Sequence, residues 1–447
     1  MTYQKENDIL LTSFLKRTFF KAWENPDDNK LTNFKTLELF VNAKCNLKCK
    51  YCYIANYGNE LYPPEYQDEK TILENTEIFL KWLVKKNLAP RCIEVFSGEP
   101  FVQDISFKIF EIIFNTFKKA KKKPKEIVVP TNYTFILSDS LTKRVEELLI
   151  KSRKLKIPVF LSASIDGKYC ESNRPFRADD NFELRDDKYY EKVFAFNKKW
   201  GFGFHPMVYS EKIEKWKNNF LWFIEMFKKF NIPPTALYLL EVRNKEWTKE
   251  QILEFAQFIE FLIKFTFHEI FKKDKIRFLN FLFDHGFNIL KAPLIKTGRG
   301  LGCSIQTTFH LRLGDLAIVP CHRTSYKSFV AGKFLVKNKK IIGITANNPE
   351  LFIAIISMTA TNQPQCEFCL INEVCAHGCL GSQFEATGDL FSPIPTVCAL
   401  QHAKIMIMVK AYEELGILDT ILSKVNKESR LPFLLIRDFL KKKVERV

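Results

Sequence analysis

The sequence predicts an α/β protein: a partial (βα)6 barrel, then a small cysteine-rich domain and C-terminal helices. Over residues 36–273, short β-type runs alternate with amphipathic segments of helical length, and this alternation favours parallel strands joined by crossover helices. Six such units fit an open, TIM-like barrel better than a closed barrel of eight units. Most of the cysteines follow in one later stretch, which indicates a module of its own.

Each element is assigned from its hydrophobic period. The predicted strands span residues 37–41, 93–96, 127–129, 159–165, 204–208 and 236–242. The predicted helices span residues 9–23, 71–86, 106–119, 140–151, 189–200, 213–230 and 249–271, and the tail is predicted to form two helices broken near Leu431 and Pro432. The predicted domains are an N-terminal helical segment (1–35), the barrel (36–273), a bridge (274–302), the cysteine-rich domain (303–398) and a helical tail (399–447).

Composition limits the function classes. No apolar run approaches the roughly 18 residues that span a bilayer, and the N-terminus does not have the pattern of a signal peptide. We therefore expect a cytoplasmic protein without membrane contact. The net charge of +17 favours an acidic partner, but the lysines are spread along the chain. The one dense run, at 118–125, is typical of a solvated loop. A basic surface also suits an acidic peptide, so the charge alone does not indicate a nucleic-acid partner.

The twelve cysteines are the most informative residues. Without an export signal they are not expected to form disulfides. The segment AKCNLKCKYCY places Cys45, Cys49 and Cys52 at spacings x3 and x2, directly after the first predicted strand. A zinc site is the alternative, but zinc usually takes four ligands. Three thiolates leave a fourth position open, as an iron–sulfur cluster needs if one iron is to bind a small molecule.

This loop resembles the defining motif of the radical S-adenosylmethionine (SAM) superfamily, with Tyr51 at its aromatic position. The resemblance implies a [4Fe-4S] cluster that binds SAM and cleaves it reductively, so that a 5′-deoxyadenosyl radical takes a hydrogen atom from the substrate. It also implies that Tyr51 packs near the adenine. Ser97-Gly98-Glu99-Pro100 resembles the family's Gly-Gly-Glu-Pro segment, with Ser in place of the first Gly, and implies that Gly98 and Glu99 bind the cofactor's amino group.

Three further residues match the family at the expected order along the chain. Asn132 lies in a Thr-Asn pair after the third strand, although plain turn chemistry explains such a pair equally well. Ser164 lies in a segment similar to the family's Ser-Leu-Asp-Gly. Arg177 falls one residue later than the family arginine that meets the cofactor's carboxylate. By resemblance, all three are expected to contact SAM.

The second group of cysteines lies in the predicted cysteine-rich domain and consists of Cys303, Cys321, Cys366, Cys369, Cys375, Cys379 and Cys398. On spacing alone, two zinc sites are an alternative. Together with the first motif, the pattern resembles the SPASM extension of radical SAM enzymes, which carries two auxiliary [4Fe-4S] clusters. The resemblance assigns Cys366, Cys369, Cys375 and Cys398 to the distal cluster and Cys303, Cys321 and Cys379 to the proximal one.

The proximal set lacks a fourth cysteine, because no cysteine lies between Cys303 and Cys321. We expect a substrate thiolate, a water or another side chain at the open iron. Cys92 and Cys170 lie outside both groups and are interpreted as structural thiols.

The resemblance implies a radical SAM/SPASM maturase that modifies a ribosomally made precursor peptide, by a thioether or another crosslink at an unactivated C–H bond. Alternatives are a radical SAM enzyme acting on RNA or a small molecule, sulfatase-maturase-like protein modification, and a zinc or iron–sulfur scaffold without activity. His322, beside Cys321, is a candidate acid/base group, or else a structural histidine. Expected partners are a reductase, flavodoxin or ferredoxin as electron donor. If the substrate has a leader, we expect a separate leader-binding protein, the barrel surface or the basic tail to hold it, since only about 35 residues precede the barrel.

Overall fold

The computed structural model describes residues 2–27, 34–177, 185–295, 304–358 and 363–444. The chain divides into two compact units. The first unit consists of Met1–Ser164, Arg174–Val193 and Ser304–Ser357, and the second of Ile165–Asn173, Phe194–Cys303 and Met358–Val447.

The elements below keep one numbering along the chain. The strands are β1 Thr36–Phe40, β2 Cys92–Phe96, β3 Glu126–Thr131, β4 Val159–Ala163, β5 Gly203–Phe204, β6 Met207–Val208, β7 Leu240–Glu241, β8 Thr308–Arg312, β9 Ala317–Val319, β10 Gly332–Lys337 and β11 Lys340–Ala346. The helices are α1 Thr2–Leu15, α2 Lys21–Glu24, α3 Tyr53–Leu61, α4 Glu69–Lys85, α5 Asp104–Phe117, α6 Asp139–Lys154, α7 Asp187–Trp200, α8 Trp216–Phe230, α9 Lys249–Phe265, α10 Lys275–Asp284, α11 Ala292–Ile295, α12 Pro349–Ile356, α13 Pro364–Glu367, α14 Leu380–Thr387, α15 Pro395–Glu414, α16 Leu418–Lys424 and α17 Lys427–Val444. Two π-helical turns, Lys16–Phe20 and Thr266–Ile270, extend α1 and α9.

The first unit is built on a sheet in which β11, β10, β9, β8, β1, β2, β3 and β4 follow one another. Within this sheet, the neighbouring strands β8, β1, β2, β3 and β4 pair in parallel. The pairs β8–β9, β9–β10 and β10–β11 are antiparallel. Leu37 and Leu39 are fully buried on one face of β1, and Glu38 points to the other. The predicted α/β class, with parallel strands and crossover helices, is confirmed.

Strands β8 to β11 were not predicted from the sequence. β8 lies within the segment assigned to the cysteine-rich domain, yet it pairs in parallel with β1 and places His310 beside Glu38. Every residue of β8 is buried, although its sequence, TFHLR, alternates polar and apolar residues as a strand does. The strand was missed because its segment was assigned to the cysteine-rich domain, and not because the pattern is absent.

The second unit contains the short strands and most of the C-terminal helices. The predicted strand 204–208 is two short strands, because Pro206 between them has no N–H to donate. β6 pairs in parallel with β7, and α15 packs against α9 and α17.

The predicted break of the tail near Pro432 is wrong, because α17 continues through that proline. Instead, the tail is interrupted after α15, which ends at Glu414. Gly416 lies just beyond this end, and its φ of +62° suits a residue without a side chain. Among the helices of the described ranges, none is both long and apolar enough to cross a membrane.

Candidate active site and metal centres

The three cysteines of the first motif lie on the loop between β1 and α3. Cys52 precedes α3 directly, and its N–H donates to the carbonyl of Cys49 at 3.0 Å. The Sγ of Cys45 accepts the N–H of Leu47 at 3.3 Å. All three thiols are partly exposed. Three thiols on one short loop, one of them already accepting an N–H, form a donor set that fits a cluster with one open iron.

The electrostatics of Cys45 favour a bound cation. Burial and the nearby Glu99 carboxylate raise the pKa of the Cys45 thiol to about 12. An uncompensated thiolate is therefore costly at this position. A bound iron supplies the positive charge that deprotonates a coordinating thiol.

Glu99 joins the ends of two neighbouring strands. Its Oε1 accepts the hydroxyl of Thr131 at 2.7 Å and the N–H of Phe101 at 3.1 Å, and its Oε2 accepts the N–H of Asn132 at 2.6 Å. Burial raises the pKa of Glu99 to about 7 despite these bonds. Glu99 therefore ties the segment after β2 to the end of β3, and contact with a cofactor stays a prediction.

Asn132 contacts the cysteine loop. Its Nδ2 donates to Asn46 Oδ1 at 2.8 Å and lies 4.0 Å from the Sγ of Cys45. Its Oδ1 accepts the N–H and the hydroxyl of Thr134. The turn chemistry weighed for this residue is thus present together with a position beside the first cysteine.

The segment that carries Arg177 pairs with the cysteine loop through its backbone. The N–H of Arg177 donates to the carbonyl of Asn46 at 2.9 Å, and its Nε donates to the carbonyl of Leu47 at 3.2 Å. Arg177, Lys44 and Cys45 line one cavity of about 500 Å³. Arg177 therefore supports the cysteine loop, and its predicted contact with SAM stays a prediction.

Tyr51 and Ser164 complete the predicted cofactor residues. Arg174, which the sequence analysis did not single out, donates from Nη1 to the hydroxyl of Tyr51 at 3.0 Å. The backbone N–H of Ser164 donates to the carbonyl of Thr131 at 2.8 Å, which fixes Ser164 to the end of β3. Within the first unit, the structure therefore brings together the first three cysteines, Glu99 and Asn132, with Tyr51 and Arg177 on or against the same loop.

Gly98 is the tightest point of this arrangement. An added Cβ at Gly98 would overlap the carbonyl of Lys44 and lie 2.7 Å from the carbonyl oxygen of Ala43. We expect Gly98→Ala to push the start of the cysteine loop away, costing about 1–3 kcal/mol of stability as overpacking does and lowering iron incorporation. Gly343→Ala is the matched control, because nothing lies within 4 Å of its added Cβ. Iron content and urea unfolding of both variants test this, and equal values would contradict it.

His322 belongs to a buried polar cluster on the polar face of β1. Its Nδ1 lies 2.8 Å from Glu38 Oε2, and the Nδ1 of His310 lies 2.9 Å from Glu38 Oε1. The His322 ring stacks on Phe96 at 4.4 Å and on Tyr53 at 5.6 Å between ring centroids. The His322 ring is therefore held in one orientation by Glu38 through its Nδ1. Its acid/base role stays a proposal.

The charge of this cluster centres on Glu38. Burial alone would raise the pKa of Glu38, but His322 and His310 outweigh it and hold the pKa below its usual range. Burial and the Glu38 charge raise the pKa of the neighbouring Glu94 to about 7. Sequence reasoning missed Glu38 and Glu94. The available signal was a carboxylate at the centre of two otherwise apolar strands, TLELF and CIEVF.

The distal cysteines meet in the second unit. Cys366, Cys369, Cys375 and Cys398 line a cavity of about 340 Å³, and Cys379 is not among the lining residues. Burial, Cys375 and Cys369 together raise the pKa of the Cys398 thiol to about 11. Four thiols around one cavity fit a fully ligated [4Fe-4S] cluster, as the resemblance implied.

The remaining cysteines fall on separate parts of the chain. Cys321 is buried in the first unit and its Sγ accepts the N–H of Arg323, whereas Cys379 precedes α14 in the second unit. Cys303 lies outside the described residues, so the proximal set stays a prediction. Burial raises the pKa of both Cys92 and Cys170 thiols, in keeping with structural roles.

The sequence was compared with protein-family models and with known proteins. No protein-family model matches the chain. Over 136 residues, or 29% of this chain, it is 25% identical to the radical SAM cyclopropyl synthase TigE of Paramaledivibacter caminithermalis. The match spans 26% of TigE, about a quarter of that relative's length.

Solved structures with a similar fold match this structure over most of its length. Native anSMEcpe with bound AdoMet (SAM) and the Cp18Cys peptide matches with a TM-score of 0.53 and 16% identity, over 86% of this chain and 99% of that chain. The same protein with the Kp18Cys peptide matches with a TM-score of 0.54 and 16% identity, over 85% and 99%. The predicted resemblance to radical SAM enzymes is confirmed. At this identity the likeness to anSMEcpe is one of fold.

Proposed function

We propose that the chain is a cytoplasmic radical SAM enzyme that modifies a ribosomally made precursor peptide at an unactivated C–H bond, by a thioether or another crosslink. The observation that carries the proposal is the loop of Cys45, Cys49 and Cys52, supported by Asn132 and by the backbone around Arg177. The relatives support the same reading, because TigE is a radical SAM enzyme and anSMEcpe holds AdoMet together with a peptide.

The residues around the cysteine loop are proposed to have two roles, namely to hold the loop and to position the cofactor. When bound, the cluster and SAM supply the 5′-deoxyadenosyl radical, with one electron from a reductase, flavodoxin or ferredoxin. Asn132 and Arg177 hold the loop that binds the cluster, and the Gly98 turn keeps the loop close to the end of β2. Tyr51, Glu99 and Ser164 are proposed to position the cofactor.

His322 is proposed to accept the proton of the reacting peptide group. Forming a C–S bond from a C–H and a thiol removes two hydrogen atoms. One goes to the 5′-deoxyadenosyl radical, and the other leaves as a proton to His322 and an electron that an oxidised auxiliary cluster would accept. Glu38 holds the His322 ring and stabilises its protonated form, as a carboxylate does beside a histidine base. The proximal cysteines Cys303, Cys321 and Cys379 would leave one iron for the substrate thiolate.

The deciding experiment is metal and cofactor analysis of anaerobically reconstituted protein. We expect about twelve irons per chain with matching sulfide, and 5′-deoxyadenosine on addition of SAM and dithionite. Cysteine-containing peptides encoded beside the gene are then assayed for the loss of two hydrogen atoms by mass spectrometry. Bound zinc without sulfide would contradict the proposal and favour a scaffold.

RNA modification is tested by binding. A true polynucleotide ligand gives an affinity that falls steeply with salt, because phosphate contacts release counterions. Weak binding with a shallow salt dependence is the result we expect.

A further inference from the structure

The cavity of the distal cysteines is surrounded by N–H donors that the cysteine motif does not include. The Nε2 of His402 lies 3.3 Å from the Sγ of Cys369. The backbone N–H of His377 donates to the Sγ of Cys375 at 3.3 Å. His402 and His377 also line the cavity. Two of the four sulfurs therefore already lie at a nitrogen, and the His402 tautomer protonated on Nε2 would donate to Cys369.

A third donor, Gln363, is suited to the thiolate form of the site. Gln363 is 1% exposed, and its Nε2 has no hydrogen-bond partner among the described residues, while its Oε1 accepts the Cys366 thiol at 3.3 Å. A thiolate has no hydrogen to donate, so the amide oxygen would face a lone pair. A half-turn of the amide presents the Nε2–H to the sulfur and gives both groups a partner.

The third feature is an excess of positive charge at the same cavity. Arg243 lines the cavity and donates from Nη1 to the carbonyl of His377 at 3.3 Å. Its Nη2 lies 2.9 Å from Glu241 Oε1, and the Nζ of the fully buried Lys404 lies 2.8 Å from the same oxygen. Two cations therefore face one carboxylate, and one positive charge is left over beside the cysteines.

We propose that His402, Gln363 and Arg243 form a shell that raises the reduction potential of the iron–sulfur cluster held by Cys366, Cys369, Cys375 and Cys398. The inference rests on the proposed function, which places a cluster there. Reduction adds one negative charge to the cluster, and N–H donors to sulfur and a nearby cation stabilise that charge. The shell therefore lets this cluster hold an electron at potentials where one without the shell stays oxidised.

The test uses a full-length background in which Cys45, Cys49, Cys52 and Cys321 are alanine, so that the reducible cluster is the distal one. His402→Leu and Arg243→Gln each remove one part of the shell. Lys410→Gln, on the same helix as His402, is the matched control, because its Nζ pairs with Glu260 and Glu414, neither of which lines the cavity. Iron is counted, and the ratio of reduced to oxidised cluster is read by electron paramagnetic resonance at a fixed potential.

We expect about four irons per chain in every variant. At the fixed potential, His402→Leu and Arg243→Gln lower the reduced-to-oxidised ratio about three- to tenfold, where tenfold equals about 59 mV for one electron. Lys410→Gln and Arg243→Lys, which keeps the charge, leave the ratio unchanged. If Arg243→Gln does not fold, Gln363→Leu takes its place with the same expected direction.

Two results would overturn the inference, and iron content tells them apart. Four irons with an unchanged ratio in the shell variants would refute the shell and leave the cluster assignment standing. No iron in the background would mean that the four cysteines hold no cluster, which would refute both the assignment and the shell built on it.

Discussion

Replacing Cys45, Cys49 and Cys52 together with alanine is expected to abolish formation of 5′-deoxyadenosine and to remove about four irons per chain. The three thiols share the loop between β1 and α3, and N–H groups of Leu47 and Asn132 lie at the Sγ of Cys45. Loss of the thiolates therefore leaves SAM without the cluster that reduces it. Iron and sulfide analysis of the anaerobic protein, with the product measured by chromatography, checks both parts.

The matched control is Cys92→Ala combined with Cys170→Ala, which also removes thiols but lies outside both cysteine groups. We expect this double variant to keep all its iron and its activity. Equal losses in the two variants would show that the loop cysteines have no special role. Full cofactor cleavage in the triple variant would end the radical SAM proposal.

The parallel core and the cysteine motif were accessible from the sequence because both are local patterns. Strands β1 to β4 are followed by crossover helices, and the three cysteines of the loop motif have a fixed spacing along the chain. The polar cluster was not accessible in the same way. Glu38 meets His310 only because β8 pairs with β1, and the two strands lie far apart along the chain. Such a pairing leaves no mark on either segment alone.

The distal site shows the same limit. Four of its residues were found from their spacing, because cysteines are rare and their pattern is dense. His402 and Arg243 were not found, since one lies within α15 and the other follows β7, and nothing local distinguishes them from surface residues. Motif reasoning therefore identifies the ligands of a site, whereas the groups that tune the ligands emerge from tertiary contacts.

Removing Glu241 is expected to be the most destabilising single change in the second unit. Glu241 and Lys404 are both fully buried, and Glu241 also accepts from Gln401 at 2.8 Å. Glu241→Ala leaves Lys404 as an uncompensated buried charge, which costs about 3–5 kcal/mol. Glu260→Ala removes the more exposed pairs with Lys264 and Lys410 instead and should cost about 0–1 kcal/mol. Urea unfolding of the two variants gives both numbers.

The pH dependence of this loss follows from the direction of the pKa shift. Burial alone would raise the pKa of Glu241, but Arg243 and Lys404 outweigh it and hold the pKa below its usual range. A folded pKa below the unfolded value of about 4.3 means that the carboxylate's stabilisation is complete above that pH and is lost only as the pH falls further. The contribution of the Glu241 carboxylate to wild-type stability is therefore the same at about pH 6 and pH 8. Adding Lys404→Met to Glu241→Ala should restore part of the stability, because a buried apolar side chain replaces the unpaired charge; if it restores none, the loss does not come from Lys404.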